Sequence, residues 1–369
     1  MHTLLYSVLP FVGMLVGLIV LHELGHFITA KIFKIKVLEA GLGYPPRAFG
    51  FTWRGTLYSF NWIPLGGFVR LLGEEDPEDP QSLAAQKAWK RIIVLAAGSG
   101  MNIITPIVLF AVAFMLARDV PVGPAVIDSV ETGGPAAVAG LQAEDRIVAL
   151  NGSEVKNVPD VGRIVRLNMG GTIDFKVQRP IPGGGFETVE KSVKARWDSR
   201  APTGITIHNL VTGSQICQTS DLPQCSQTEQ YSLLHAVGKG WTSTIDALIL
   251  ARNQVLSFVH GGQGPQVAGP VGIADATGDV VKEAGWKTLL DFAALLSINL
   301  AIVNILPLPM LDGGRIVFVL IEVLRRGKRI APEKEAMVHL VGLAAMLTLA
   351  VVITYFDVLR LIDGRSLFD

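Results

Sequence analysis

Charge imbalance is the first thing this sequence lacks: 32 lysines and arginines face 32 aspartates and glutamates, so the formal net charge is zero. No basic patch with interleaved aromatics appears either, which removes nucleic acid from the expected partners. Cysteine is nearly missing, with Cys217 and Cys225 as the whole complement. Two thiolates do not complete a structural zinc site that takes four protein ligands, so they read as a pair suited to a disulfide in an oxidising compartment. The apolar run near the N-terminus lacks the basic start and small-residue cleavage site of a signal peptide, and is expected to stay in the mature protein.

What is present is apolar sequence, 50% of the 369 residues, gathered into blocks. A membrane-crossing helix needs about 20 mostly apolar residues. Four blocks meet that need: about Val8 to Ala30, Ile92 to Ala117 with no charge at all, Phe292 to Leu311, and about His339 to Phe356. Ile316 to Leu324, interrupted by Glu322, is shorter and reads as a re-entrant or interfacial helix. Basic residues cluster between the first two blocks (Lys31, Lys34, Lys36, Arg47, Arg54, Arg70, Lys87, Lys90, Arg91) and between the last two (Arg315, Arg325, Arg326, Lys328, Arg329, Lys334). The positive-inside rule makes both loops cytoplasmic, with the termini and residues 118–287 on the opposite side.

The strongest motif is His22-Glu23-Leu24-Gly25-His26, at the cytoplasmic end of the first span. Residues four apart share a helix face, so both imidazoles can meet one ion while Glu23 addresses a water. Zinc acidifies such a water and polarises a scissile carbonyl, and a glutamate can move the proton to the leaving amine. The competing reading, helix-end histidines at an interface with Glu23 paired to a lysine, is weakened because ionisable groups in a bilayer mark function by default. Two histidines leave the site incomplete. Asp312, in Asn304-Ile305-Leu306-Pro307-Leu308-Pro309-Met310-Leu311-Asp312-Gly313-Gly314, reaches the same membrane depth and is the expected third ligand, with an N-cap of the next short helix as the alternative.

Together, HExxH in the first span and NxxPxPxLDGG in the third resemble the site-2 protease family of intramembrane zinc metalloproteases, and its RseP-like branch with a single PDZ domain. The resemblance covers nearly the whole chain. It implies zinc on His22, His26 and Asp312, Glu23 as catalytic glutamate, Asn304 as the asparagine that holds or orients substrate, and Pro307 and Pro309 beside the cleft as further substrate contacts. It also implies single-span membrane proteins as substrates, among them transmembrane anti-sigma factors or remnant signal peptides, trimmed first by a site-1-type protease. A bacterial cytoplasmic membrane is the expected location.

Leu57 to Leu71 is rich in strand formers and broken by Pro64 and Gly66-Gly67, so it reads as a hairpin or looped sheet. The family places a membrane-associated β-loop here, which puts Gly66, Gly67 and Phe68 among the expected substrate contacts; a strand beside the site can add backbone hydrogen bonds to an unwound substrate. A plain interfacial loop anchored by Trp53, Trp62 and Phe68 is the alternative.

Residues 121–199 change character. Ala125–Val130, Arg146–Leu150 and Thr172–Val177 read as strands, and Pro135–Ala139 and Pro159–Leu167 as short helices. Their order, with Gly133 to Leu141 followed by Asp145-Arg146-Ile147-Val148, resembles a PDZ domain whose peptide groove lies between Ala125–Val130 and Pro159–Leu167. Glu144 departs from that pattern, where glycine is usual. Tyr231 to Val259 has helical apolar spacing suited to a membrane surface. Gln266 to Ile273 resembles the family's GPVGI segment and is expected to bend. His208, His235, His260 and His339 stand alone and read as surface, loop or helix-end residues.

The expected architecture is a polytopic α-helical membrane protein: a four-span metalloprotease core with a membrane-associated β-loop and an inserted extracytoplasmic PDZ-like α+β domain. Its parts are 1–117, 118–200 (PDZ-like), 201–287 (linker and membrane-surface segment) and 288–369. A non-catalytic scaffold binding peptides through the PDZ-like domain is the alternative function, disfavoured because all four key groups are present. A metal transporter would need further ligands along a path, and the spans offer few.

Overall fold

The computed structural model describes residues 4–74, 78–210, 216–217, 226–262 and 268–363. A π-helical turn at Leu4–Val8 leads into α1 (Leu9–Ile32), β1 (Val37–Trp53), β2 (Thr56–Leu71) and α2 (Ala88–Met115). Then come β3 (Arg118–Pro121), β4 (Ala125–Val130), α3 (Pro135–Ala139), β5 (Arg146–Leu150), β6 (Ser153–Glu154), α4 (Val158–Leu167), β7 (Thr172–Pro180) and β8 (Phe186–Lys194). The chain continues through β9 (Ile205–Leu210), β10 (Ile216–Cys217), β11 (Ser226–Glu229), α5 (Leu233–Val259), α6 (Pro270–Ala284), α7 (Thr288–Ile305), α8 (Asp312–Leu324) and α9 (Pro332–Ile362). Two compact units divide these elements: residues 1–113, 237–244 and 267–369, and residues 114–236 and 245–266.

Among the described residues, four helices are long and apolar enough to cross a membrane: Tyr6–Ile32, Ala88–Met115, Thr288–Ile305 and Pro332–Ile362. The protein is a multi-pass membrane protein. The third helix ends at Ile305 rather than at the expected Leu311. Leu306 turns to an extended conformation ahead of Pro307, as a residue preceding proline favours, and the prolines withhold the N–H groups a helix needs. The fourth starts earlier than expected, with Pro332 in its first turn, where the missing N–H costs nothing.

In the first unit, β1 and β2 fold back on themselves. Phe49–Trp53 pairs with Thr56–Phe60, and Glu39–Leu42 lies between Leu57–Phe60 on one side and Gly67–Arg70 on the other. Gly67–Leu71 is therefore an edge segment. Ala30, Ile35, Val37, Leu71, Leu83, Val94, Leu95 and Val319 form one buried cluster that fixes the ends of α1 and α2, this sheet and α8 to each other. The Gly269-Pro270 step begins a helix where a bend was expected. Gly269 is the N-cap of α6, and its N–H and that of Gly272 donate to the buried Asp357 carboxylate at 2.9 and 2.8 Å.

The second unit holds a seven-stranded sheet in the order β10-β9-β4-β5-β7-β8, with β6 on β5. Every second residue of β7 enters the core, Ile173, Phe175 and Val177, against Val161 and Ile164 of α4. The expected strands and short helices of this region form, but the expected groove beside Ala125–Val130 does not. That strand is β4, paired with β5 on one side and β9 on the other, so it has no edge left for a peptide. The strand beside α4 is β9, which lies beyond residue 200 and, among the described residues, pairs with β10 at Asn209 and Leu210. Glu144 has φ +69°, the left-handed region that glycine favours, which is why its position looked irregular in the sequence. Cys225, one of the two cysteines of the expected disulfide with Cys217, lies outside the described residues.

Candidate metal centre

His22 and His26 follow one another by one turn on the buried face of α1, at 8% and 9% exposure. Their Nε2 atoms are 3.2 Å apart. Asp312 Oδ2 lies 3.1 Å from the first and 3.3 Å from the second. Among the described residues this is the group of three metal-ligating side chains whose donor atoms converge.

The loop between α7 and α8 delivers Asp312. Met310 turns through φ +78°, and Asp312 opens α8. Gly313 and Gly314 let the start of that helix lie against the preceding backbone, because a β-carbon on Gly314 would sit 2.9 Å from the Leu308 carbonyl carbon and one on Gly313 would strike the carbonyls of Ile305 and Leu306. The motif's glycines are thus a steric condition for the placement of its aspartate.

α2 supplies the back wall through a stripe of residues four apart, Val94, Gly98 and Asn102. The His26 Nδ1–H donates to the Val94 carbonyl at 2.8 Å, which leaves the His26 Nε2 lone pair facing the cluster. The Asn102 side-chain amide lies 3.3 Å from His22 Nδ1.

Zinc fits this set. With bonds of about 2.0–2.1 Å, a tetrahedral zinc site spaces neighbouring donor atoms about 3.3 Å apart, close to the three separations found. Two imidazoles and a carboxylate are donors zinc accepts, and three protein ligands leave a fourth position for a reactant. Asp312 Oδ2 is buried without a hydrogen-bond donor, an arrangement that costs stability unless a cation balances it.

Glu23 lies between this triangle and the sheet, close enough to His26, His22 and Asp312 for their charges to act on its carboxylate. It lines a cavity of about 330 Å³ with Val20, Phe27, Gly41, Gly67 and Phe68. The backbone amide of Val69, on the edge segment, is directed at its carboxylate. Gly66 adjoins the Ile19 side chain. Asn304 sits half-buried in the last turn of α7, Pro307 is exposed, and neither is among the residues lining the Glu23 cavity. Pro309 turns to α9, where it meets Gly342.

Sequence reasoning missed four residues around the site: Val94, Gly98, Asn102 and His339. His339 was expected at a surface or helix end, yet it is buried within α9 and its Nδ1 accepts the Met310 N–H at 2.9 Å. For Asn102 and His339 the available signal was a polar side chain within a membrane-spanning helix; Val94 and Gly98 carry none.

Residues 10–349 match peptidase family M50. The zinc metalloprotease RasP of Geobacillus kaustophilus is 28% identical, over 96% of this chain and 98% of that protein. The regulator of sigma-W protease RasP of Bacillus subtilis is also 28% identical, over 96% of this chain and 99% of that protein. A relative from Agrobacterium fabrum is 31% identical over 96% of both chains. The chain belongs to peptidase family M50 and is a membrane-embedded zinc metalloprotease.

Proposed function

We propose that His22, His26 and Asp312 hold the zinc, that Glu23 is the catalytic base, and that the enzyme hydrolyses peptide bonds of single-span membrane proteins within or beside the bilayer. The observation that carries this reading is the near-equilateral triangle of two Nε2 atoms and one Oδ2, with sides of 3.1–3.3 Å. Zinc bound there supplies a Lewis acid for the scissile carbonyl and lowers the pKa of the attacking water. Glu23 removes the proton as the water oxygen bonds to the carbonyl carbon, then delivers it to the amide nitrogen as the C–N bond breaks. Substrate must be unwound first, since a helix hides its carbonyls in its own hydrogen bonds. The edge segment Gly67–Leu71 acts as a membrane-associated β-loop that adds an extended substrate as a further strand, which brings it alongside Glu23. Gly66, Gly67 and Phe68 shape that contact, Asn304 orients the peptide, and Pro307 and Pro309 stiffen the loop that carries Asp312.

The second unit is read as a single PDZ-like domain of the RseP-like branch. Its peptide site is the cavity of about 160 Å³ between α4 and β9, lined by Val161, Val165, Ile205 and Ile207. The basic loops put residues near Lys31–Arg91 and Arg315–Lys334 in the cytoplasm, and the termini and residues 118–287 opposite. The name of the Bacillus subtilis relative, regulator of sigma-W protease, supports substrates of the anti-sigma-factor class; on this reading they are cut after an upstream protease has trimmed them.

The test compares wild type with Glu23→Gln in detergent or lipid, on a single-span substrate, with bound zinc quantified in both. Cleavage by wild type and none by a zinc-loaded variant supports the mechanism. Zinc without cleavage of several substrates by either protein returns the scaffold reading, and zinc in neither removes the metal assignment.

A further inference from the structure

The two imidazoles of the metal cluster differ in how their far nitrogens are held. His26 Nδ1 faces a backbone carbonyl, that of Val94, which can only accept, so its proton sits on Nδ1 and its Nε2 is free to ligate. His22 Nδ1 faces the side chain of Asn102, which is 0% exposed. As positioned, the Asn102 NH2 group lies 3.3 Å from that nitrogen, while its Oδ1 is buried and has no partner among the described residues. If the NH2 donates to His22 Nδ1, the neutral imidazole must carry its proton on Nε2. That proton would occupy the lone pair needed for a cation and would point into the triangle with His26 Nε2 and Asp312 Oδ2.

A half-turn of the amide exchanges its two ends in place. Oδ1 then accepts the His22 Nδ1–H, and Nε2 is left with its lone pair free. The asparagine is anchored apart from its side chain, because its backbone carbonyl accepts the Ser297 hydroxyl of α7 at 2.9 Å. Val94, Gly98 and Asn102 then have complementary duties on one helix face. The first orients His26, the second leaves room for both rings, and the third orients His22.

We infer that Asn102 is the positioning residue that fixes the ligating tautomer of His22, with its carbonyl oxygen toward Nδ1. The inference rests on the reading of His22 as a zinc ligand. It assigns Asn102 no contact with substrate; the asparagine acts through His22.

The experiment uses the full chain in detergent as wild type, Asn102→Leu, which removes the acceptor at similar volume, and Asn102→Asp, which keeps an acceptor and cannot donate. Zinc affinity is measured by chelator competition, and the visible spectrum of the cobalt-substituted proteins reports ligand geometry. Loss of an outer hydrogen bond to a metal-bound histidine costs about 10–100-fold in affinity. The expected result is a loss of that size for Asn102→Leu and wild-type or tighter binding, with a wild-type cobalt spectrum, for Asn102→Asp. Zinc binding by Asn102→Leu within twofold of wild type overturns the inference, as does an aspartate variant as weak as the leucine one. Should the leucine variant fail to fold, the aspartate variant decides alone, since a tenfold loss there contradicts an acceptor role. A wild type that binds no zinc overturns the metal reading itself, and is thereby distinguished from a failure of the asparagine's role.

Discussion

Gly98 on α2 faces His22 so closely that a β-carbon there would stand 2.5 Å from its Cε1 and 2.6 Å from its Nε2. The approach is reciprocal: a β-carbon on Gly25 of α1 would lie 2.7 Å from the Ala97 carbonyl carbon and 3.1 Å from the Gly98 nitrogen. Small residues on both helices let their backbones meet at the level of the metal ligands. Gly98→Ala is expected to displace both imidazoles. Overpacking of this kind costs about 1–3 kcal/mol, so zinc content and cleavage should fall by about tenfold or more. Unchanged zinc stoichiometry and cleavage rate in the alanine variant would refute the cradle.

The second unit rests on an ion pair inside its sheet. Asp145, with no exposed side-chain surface, accepts Arg179 through both oxygens at 2.8 Å and also the Gln142 N–H at 2.9 Å. Asp145→Ala leaves the guanidinium with the Gly140 carbonyl alone, at 3.0 Å, and that amide without its acceptor, a loss of about 3 kcal/mol for a buried pair broken on one side. Hydrogen exchange at β7 in the full chain measures it, and protection equal to wild type would contradict the prediction. Glu144→Gly, next door, should act in the opposite direction. It relieves a left-handed conformation costing about 1–2 kcal/mol, only partly offset by the backbone entropy glycine adds to the unfolded chain.

Acid sensitivity should arise at Glu322 in α8. Burial raises its carboxyl pKa, but hydrogen bonds and charge from Arg91 and Arg329 outweigh burial and hold it below the ordinary value of 4.5. A carboxylate with a depressed folded-state pKa contributes stability above its unfolded value, and that contribution is lost as pH falls through the folded one. Thermal unfolding between pH 6 and pH 3 should therefore show stability declining below about pH 4.5. Glu322→Gln should be less stable near neutrality and show a shallower decline. Parallel curves for the two proteins would show that the acid sensitivity lies elsewhere.

Much of this was legible in the sequence because it depends on spacing along one element. His22 and His26 share a face by helical geometry alone, and Asp312 follows from a Pro- and Gly-marked break at the end of a span. The strands Ala125–Val130 and Arg146–Leu150 declare themselves by composition. What stayed hidden depends on which element meets which. Nothing local says that β9 will cover the second edge of β4, which leaves that strand without the expected groove. The start of α6 is marked by Gly269-Pro270, but the carboxylate that accepts its first N–H groups comes from Asp357 on α9, far along the chain. Asn102 and His339 are polar residues in apolar helices whose partners only the folded chain reveals.

His339 gives the last prediction. Its Nδ1 accepts the N–H of Met310, a residue at φ +78° two positions before Asp312, and so ties α9 to the loop that presents the carboxylate. His339→Phe keeps a ring beside Phe318 and removes the acceptor, leaving that N–H without its acceptor at a cost of about 1–3 kcal/mol. Because the left-handed conformation of Met310 is itself unfavourable, the loop should relax and Asp312 should withdraw from the two imidazoles. The expected outcome is zinc affinity reduced about tenfold, the equivalent of 1.4 kcal/mol, with partial recovery in His339→Gln, whose side-chain oxygen can accept the same N–H. Equal losses in both variants would mean that α9 supports the loop by ring packing, while full affinity in His339→Phe would mean that Gly313, Gly314 and the prolines hold Asp312 without help from the last span.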